Sequence, residues 1–332
     1  MKNAFNVGTF TGALISDTPI SGQVTVANSS AYESANLSRP LTAYIAGQPA
    51  PDLEKVLDEL FPPVEAGRFF EFQKHADDKF ITESDDSDIR AVGAAFKVIQ
   101  YTGSKVTDKV VNKGLTYRQD HDGLTRDEKG KLRPGWENAI ADNLRKRLIR
   151  ADILRGFALL DAGATNAPVV WNAASNPDGD LRGACRLSLT GKGVRATNLV
   201  IGDLAWMLRQ DAYEAPGRTN DMANHAAYTE QMLASYLGLR KVRREDSLYQ
   251  VKKGGAKTDI LGSIAYIYGA EEGLLLDDPS NIKRVWSATD SGQRFAVYIN
   301  KKDKFTDITV EHYSKFISPI TAGIRKLTIA AA

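Results

Sequence analysis

The sequence predicts an α+β protein in which one long helix separates a discontinuous, strand-rich lobe from a second, mixed lobe. Three features carry that prediction. Trp136, Ile140, Leu144 and Leu148 recur every four residues, a helical period that Ala151, Leu154 and Ala158 continue. Between residues 67 and 98 two strand-like ends flank a long polar middle. From residue 283 onward the chain returns to runs of β-branched and aromatic residues.

Residues 1–45 are rich in Ser, Thr, Ala, Gly and Asn, and short apolar runs such as Ala13-Leu14-Ile15 and Val24-Thr25-Val26 keep no period. This stretch reads as an extended arm, contributing little to its own subunit's core and ordered by a neighbour if at all. A short helix opens at Pro51-Asp52, buries Leu53, Val56, Leu57 and Leu60, and stops at Pro62-Pro63. Arg68 to Lys74 then reads as a strand, and Phe96-Lys97-Val98-Ile99 as its return. Together they make a projecting hairpin with an acidic middle. Strand-like alternation continues to Tyr117, followed by a charged turn region.

Pro134 suits the first turn of the long helix, because its missing N–H would be unpaired there anyway. A second apolar strip, Ile149, Ile153, Phe157 and Leu160, implies burial on two sides in the later half. Gly163 is expected to close the helix in a left-handed conformation, and Pro168 to block its restart. The helix is then roughly 40 Å long.

After it, Ser175-Asn176-Pro177-Asp178-Gly179-Asp180 reads as turn chemistry. Asn198-Leu199-Val200-Ile201 reads as a buried strand, and Gly202-Asp203 as the start of a helix carrying Leu204, Met207 and Leu208. A helix over roughly 222–237 stops at Gly238, and strand signals follow at 239–243, 247–251 and 263–268. Residues 168–282 thus form a mixed lobe. The closing strands, Val285-Trp286, Phe295 to Ile299, Ile308 to Val310 and Ile324 to Ile329, are expected to pair with strands that precede the long helix.

Composition excludes several classes. A chain of 332 residues with 42% hydrophobic content can build a real core, and a net charge of +2 does not advertise nucleic acid or membrane. One cysteine, Cys185, rules out a disulfide framework and fits a reducing compartment. No run of about 18 apolar residues exists to span a membrane, and Met1 to Phe10 lacks the pattern of a signal peptide.

No catalytic constellation is legible, so no catalytic, metal-binding or cofactor residue is assigned. His75, His121, His225 and His312 are scattered. Asp120-His121-Asp122 could supply ligands to a metal-dependent hydrolase, yet no second cluster has ligand spacing, and a solvated turn is the simpler reading. Gly191-Lys192-Gly193 and Ala256-Lys257-Thr258 lack the spacing of a phosphate loop. Two charged stretches remain. One is acidic: Asp77, Asp78, Glu83, Asp85, Asp86 and Asp88 in the hairpin. The other is basic: Arg145, Lys146, Arg147, Arg150 and Arg155 on the long helix, with a later set from Arg240 to Lys253. Solvated faces and an interaction role are both open readings.

The succession of these elements resembles the major capsid proteins of tailed bacteriophages, which share the HK-97-like fold. The resemblance runs over nearly the whole chain. It rests on the arm, on Phe61-Pro62-Pro63-Val64 with Gly67-Arg68-Phe69-Phe70-Glu71-Phe72 entering the loop, and on Phe96-Lys97-Val98 leaving it. The helix from Trp136 to Leu160, Ser175 to Leu181, Asn198 to Gly202 and the closing strands complete it.

The resemblance implies an N-terminal arm at 1–45 and an extended loop at 67–98. It implies a peripheral domain from 46–66, 99–167 and 283–332, and an apical domain at 168–282. It further implies self-assembly into pentamers and hexamers of an icosahedral shell around non-specifically packaged double-stranded DNA. The partners are a portal, a separate scaffolding protein and possible decoration proteins, with no membrane. The location is the virion, after assembly in the bacterial host cytoplasm. An encapsulin-type compartment shell is the nearby alternative. Because the extended loop of this family lies across a neighbour's peripheral domain, the acidic loop and the basic helix become candidate inter-subunit contacts. Lys74 and Lys79 lie in the loop region, but no Asn and acid match them, and no covalent cross-link is expected.

Overall fold

The computed structural model describes residues 36–47, 52–74, 90, 92–96, 104–123, 135–216, 223–250, 254–273 and 278–331. The chain divides into two compact units. The first comprises Met1–Lys55, Val110–Ala158 and Trp286–Lys315, and the second Val56–Lys109, Leu159–Val285 and Phe316–Ala332.

The first unit holds a three-stranded antiparallel layer. Strand β4 (Val111–Asp120) pairs with β13 (Phe305–Ile317) over ten consecutive residues, from Val111↔Ser314 to Asp120↔Phe305. Strand β12 (Phe295–Lys301) lies on the other side of β13, from Phe295↔His312 to Lys301↔Thr306. Helix α1 (Arg39–Gly47) lies beside β12. Ser38 caps it by accepting from the Leu41 N–H at 3.4 Å, and Pro40 sits in the first turn, where a missing N–H costs nothing. Leu41 and Ile45 are buried, and the Val297 N–H donates to the Thr42 hydroxyl at 3.1 Å. Part of the expected arm therefore belongs to the core of this unit. The helix is too short to show a period among the small polar residues before it.

Helix α2 (Asp52–Leu60) forms as its apolar positions require, with Val56, Leu57 and Leu60 buried. Helix α3 (Trp136–Gly163) is the long element of the chain, and its residues through Ala158 belong to the first unit. Its buried apolar residues run in two strips that change over at adjacent positions, Ala141, Leu144 and Leu148 and then Ile149, Ile153, Phe157 and Leu160. In the later half the expected second strip is fully buried, while Ala151, Leu154 and Ala158, which continue the first face, are only half-buried. Pro134 lies outside the described residues. Gly163 does not take a positive φ. Its lack of a side chain has a different use, because a Cβ there would stand 3.1 Å from Ile324 Cδ1.

In the second unit, β2 (Phe69–Lys74) pairs antiparallel with β3 (Ser104–Lys109), from Phe69↔Lys109 to Lys74↔Ser104. Of the expected return Phe96-Lys97-Val98-Ile99, the residues 97–99 lie outside the described residues, and the described partner of β2 begins at Ser104. Short β1 (Pro63–Glu65) neighbours β11 (Lys283–Ser287), joined by Arg284 N–H donating to the Pro62 carbonyl at 3.2 Å.

The main sheet of this unit has the order β5-β14-β10-β6-β7. It comprises β5 (Thr165–Trp171), β6 (Asn198–Gly202), β7 (Lys241–Glu245), β10 (Ile264–Tyr268) and β14 (Arg325–Ala331). A small ribbon of β8 (Leu248–Tyr249) and β9 (Thr258–Asp259) stands apart from it. All five residues of β6 are buried, as its unbroken apolar run demands. Pro168 is tolerated because β5 is an edge strand. Helix α4 (Pro177–Lys192), α5 (Asp203–Glu214) and α6 (Glu230–Leu237) cover the sheet. Leu181, Leu199, Ile201, Trp206, Leu233, Ile267, Leu327 and Ile329 form its core.

Three expectations change here. Residues 175–180 are the start of α4 and not a free-standing turn. Asn176 caps the helix by accepting from Gly179 N–H at 3.1 Å, and Pro177 follows in the first turn. The helix expected over 222–237 is broken. A 3-10 turn spans Asn224–Ala227, and Thr229 then caps α6, which ends at Gly238 with φ +66°. The last strand, β14, joins β5 and β10 in the second unit, whereas β13 does pair with β4, which precedes the long helix, and β12 pairs with β13. Leu327 and Ile329 enter the same core as Ala265 and Ile267, and alternation alone does not say which sheet a strand joins.

Candidate functional site

The five basic residues of α3 do not form one surface. Arg145 is 5% exposed. It donates to the Ile45 carbonyl at 2.8 Å and pairs with Glu54, which Arg294 also reaches at 2.8 Å. Burial alone would raise the Glu54 carboxyl, but Arg145 and Arg294 outweigh it and hold it below its ordinary range. Arg145 is therefore a core residue, and its candidacy for an inter-subunit contact is corrected: the helix stripe turns it inward onto an acid that lies 91 positions earlier. Arg155 is half-buried and pairs with Asp152 at 2.9 Å. Lys146 makes a four-residue helix pair with Asp142 at 2.6 Å, a contact that adds little. Arg147 and Arg150 are exposed and share a flank of the helix. Asp77, Asp78, Glu83, Asp85, Asp86 and Asp88 lie outside the described residues. At the root of their hairpin Phe69 is 76% exposed, and Phe96 stands exposed with the Arg90 guanidinium 4.8 Å from its ring centre.

Two buried polar clusters invite a chemical reading. In the first unit Asp152 of α3 accepts from Lys113 Nζ of β4 at 3.2 Å and from Ser314 Oγ of β13 at 2.8 Å. It also meets His312 Nε2 of β13 at 3.0 Å, in addition to Arg155. Burial would raise its carboxyl, yet His312 first, then Lys113 and Arg155, hold it well below the usual carboxylate range. Ser314 Oγ is bonded to the acid and to Lys113, whose ammonium is held by Asp152.

In the second unit Asp178 of α4 receives both arms of the Arg209 guanidinium of α5, at 2.6 and 2.9 Å, and contacts His225 Nδ1 at 2.7 Å. Its own N–H donates to the Tyr213 hydroxyl at 2.9 Å. Arg209 is fully buried, 5.2 Å from the Trp206 ring centre. Both clusters tie elements together.

The remaining sequence candidates resolve into structure. His121 Nε2 is 2.9 Å from the Thr306 hydroxyl, and Nδ1 is 3.2 Å from the Asp303 carbonyl. Asp120 Oδ1 accepts from Asp122 N–H at 3.0 Å. Both ring nitrogens are thus committed to a turn. Among the described residues no group of three or more His, Cys, Asp or Glu could hold a metal. Gly191-Lys192-Gly193 is the C-terminal end of α4, closed by Gly193 at φ +78°. Burial pushes the Cys185 thiol up to about 11, which removes it as a nucleophile near neutrality.

The described chain contains no helix long and apolar enough to cross a membrane. A groove of about 780 Å³ beside α1, lined in part by Leu37, Tyr44, Ile299 and the ion-paired Glu137 and Lys301, holds no nucleophile with a base. What the sequence reading missed is surface: Leu204 and Met207 of α5, and Met232 and Tyr236 of α6, are exposed. The helical period could have shown this, since these positions fall on the flank opposite Ala205, Trp206 and Leu233.

No protein-family model matches the chain. No curated protein matches its sequence. Solved structures do match. A phage-related protein from Bordetella bronchiseptica RB50 superposes with a TM-score of 0.60 at 14% identity, covering 88% of this chain and 96% of its own. A chain of Gordonia phage Cozz gives a TM-score of 0.52 at 10% identity, with 83% and 87% covered. The capsid of cyanophage P-SCSP1u gives 0.48 at 8% identity, with 82% and 87% covered. At these identities the likeness is one of fold. The first two matches place the chain in the HK-97-like α+β fold.

Proposed function

We propose that this chain is the major capsid protein of a tailed bacteriophage, a shell subunit and not an enzyme. The observation that carries the reading is the fold, shared with the Bordetella phage-related protein over 88% of this chain and 96% of that one. The organisation of the chain supports it: the polar clusters serve as internal ties, and the candidate ligands are used in turns. On this reading 168–282 is the apical domain, and 46–66, 99–167 and 283–332 supply the peripheral domain. Residues 67–98 are the extended loop, and 1–45 the arm, with 36–45 as its anchor on β12. Pentamers and hexamers of the chain close an icosahedral head in the host cytoplasm. A portal and a separate scaffolding protein assist, decoration proteins are accommodated, and double-stranded DNA is held without sequence preference.

The test is assembly. Full-length protein, produced with its scaffolding protein, is examined by sedimentation and electron microscopy. Shells or capsomers are the expected result. A single sharp monomer at every concentration under those conditions would overturn the reading.

A further inference from the structure

Lys192, the last residue of α4, ends in a buried amine, only 2% exposed. Two glycines make room for it. A Cβ on Gly323, at φ +79°, would stand 2.6 Å from Lys192 Cβ, and a Cβ on Gly269 would overlap the amine itself. The amine donates to the Asn281 side chain, with Nζ 3.3 Å from Oδ1. Buried ammonium groups are ordinarily matched with a carboxylate, and this one faces a neutral amide. Given a C=O bond of about 1.23 Å, that contact puts Nζ roughly 3.5–4.5 Å from Asn281 Cγ. Asn281 is fully buried and fixed at both polar atoms. Its Oδ1 also accepts from the Gly269 N–H at 2.7 Å, and its Nδ2 donates to the Ile320 and Ala322 carbonyls at 2.9 and 2.8 Å. All of these residues belong to the second unit.

We propose that Lys192 and Asn281 join in an isopeptide bond within one chain. The Nζ lone pair attacks Cγ, the Nζ–Cγ bond forms and the Cγ–Nδ2 bond breaks. One amine proton passes to Nδ2 and ammonia leaves, with nothing oxidised or reduced. The neighbours of the pair suit that step. The Gly269 N–H faces the oxygen on which negative charge develops. The Ile320 and Ala322 carbonyls hold the leaving nitrogen and favour it as it gains a proton. Burial pushes the Lys192 amine down to about 8, although Asp278 and Glu271 favour its charge. About a tenth of it is then the neutral nucleophile at pH 7. Holding amine and amide in contact replaces a chance encounter, and the buried site keeps competing water away. The bond ties the end of α4 to the segment entering β11, across 89 positions of the chain. It constrains the unfolded chain as a disulfide of that span would, and it joins no second subunit.

Mass spectrometry of the full-length chain tests this, whatever its state of assembly. Folded wild type is expected to weigh about 17 Da less than its sequence, the mass of one ammonia, on isolation or after incubation at about pH 8.5. Any unbonded fraction should convert at least tenfold faster at about pH 8.5 than at about pH 6.5, following the neutral amine. Trypsin should then release residues 187–195 joined to 258–283, because cleavage after a bonded Lys192 is blocked. Lys192→Arg keeps the positive charge but offers no amine, and it should keep its full mass. A folded wild type of full mass after the alkaline incubation would overturn the proposal. So would the mass loss without the branched peptide, or an equal loss in Lys192→Arg. If the arginine variant fails to fold, the peptide map of the wild type alone decides.

Discussion

Asp152 shows how much depends on single buried charges in this protein. It compensates Lys113 and His312 in the interior of the first unit, and loss of one member of such a group costs about 3–5 kcal/mol because the others stay buried and uncompensated. Asp152→Asn is therefore expected to lower thermal stability strongly while leaving any residual fold native-like by circular dichroism. The pH dependence has a definite sign. The folded carboxyl titrates below its unfolded value of about 3.9, so its contribution is fully present above that value and is lost as pH falls through the folded pKa. Wild type should lose stability steeply below about pH 4, and the asparagine variant should show a flatter slope there. Equal slopes in acid would mean that Asp152 is not the controlling group.

Residue placement also separates the helix arginines. Arg145→Ala should be strongly destabilising, since it removes a buried side chain and leaves Glu54 with Arg294 alone, whereas Arg147→Ala should change the melt by no more than an ordinary surface substitution. Comparable melting losses for both would contradict the buried pair.

The arm and its anchor divide at the level of the element. Residues 39–47 bury Leu41 and Ile45, each worth about 1.5–3 kcal/mol, and supply the Thr42 bond to β12. Deleting residues 1–35 should leave the melt within a few degrees of wild type but abolish shell formation. Extending the deletion through residue 47 should destabilise the first unit by several kcal/mol, the sum of those burials. A shorter deletion that already unfolds the protein would place core-forming residues before Asn36. Helix α4 makes the same point about local signals. Asn176-Pro177 with two acids in the first turn is a helix start, yet the same residue types also spell a turn, and the apolar face that decides between them begins only at Leu181.

For the whole molecule the open question is how charge acts between subunits. The acids from Asp77 to Asp88 and the exposed Arg147 and Arg150 remain the candidate complementary surfaces, now without Arg145. Exposed pairs are individually weak, about 0–1 kcal/mol, and act on encounter and register more than on affinity. Asp85→Lys combined with Asp86→Lys should leave subunit melting unchanged and slow assembly followed by light scattering. Added salt should slow the wild type in the same direction, because exposed charges are screened over about 8 Å at physiological ionic strength. If the double reversal assembles at the wild-type rate across a salt series, the acids serve solubility alone.

Several features of this protein were determined by local sequence. Periodicity over Trp136 to Leu160 defines α3, because a one-sided apolar stripe has only one regular conformation that buries it. An unbroken apolar run defines β6 as a buried strand, and Pro62-Pro63 ends α2, since these signals act within a few residues. The partner choices were decided only in three dimensions. Alternation makes Arg325 to Ala331 a strand but is silent on whether it joins β4 or β10, and the shared core with Ala265 and Ile267 settles that. Charge makes Arg145 look like surface, and only the meeting of α3 with Glu54, 91 positions away, makes it interior. Chain-distant pairing of this kind leaves no local trace, because the energy that selects it comes from burial summed over the whole fold.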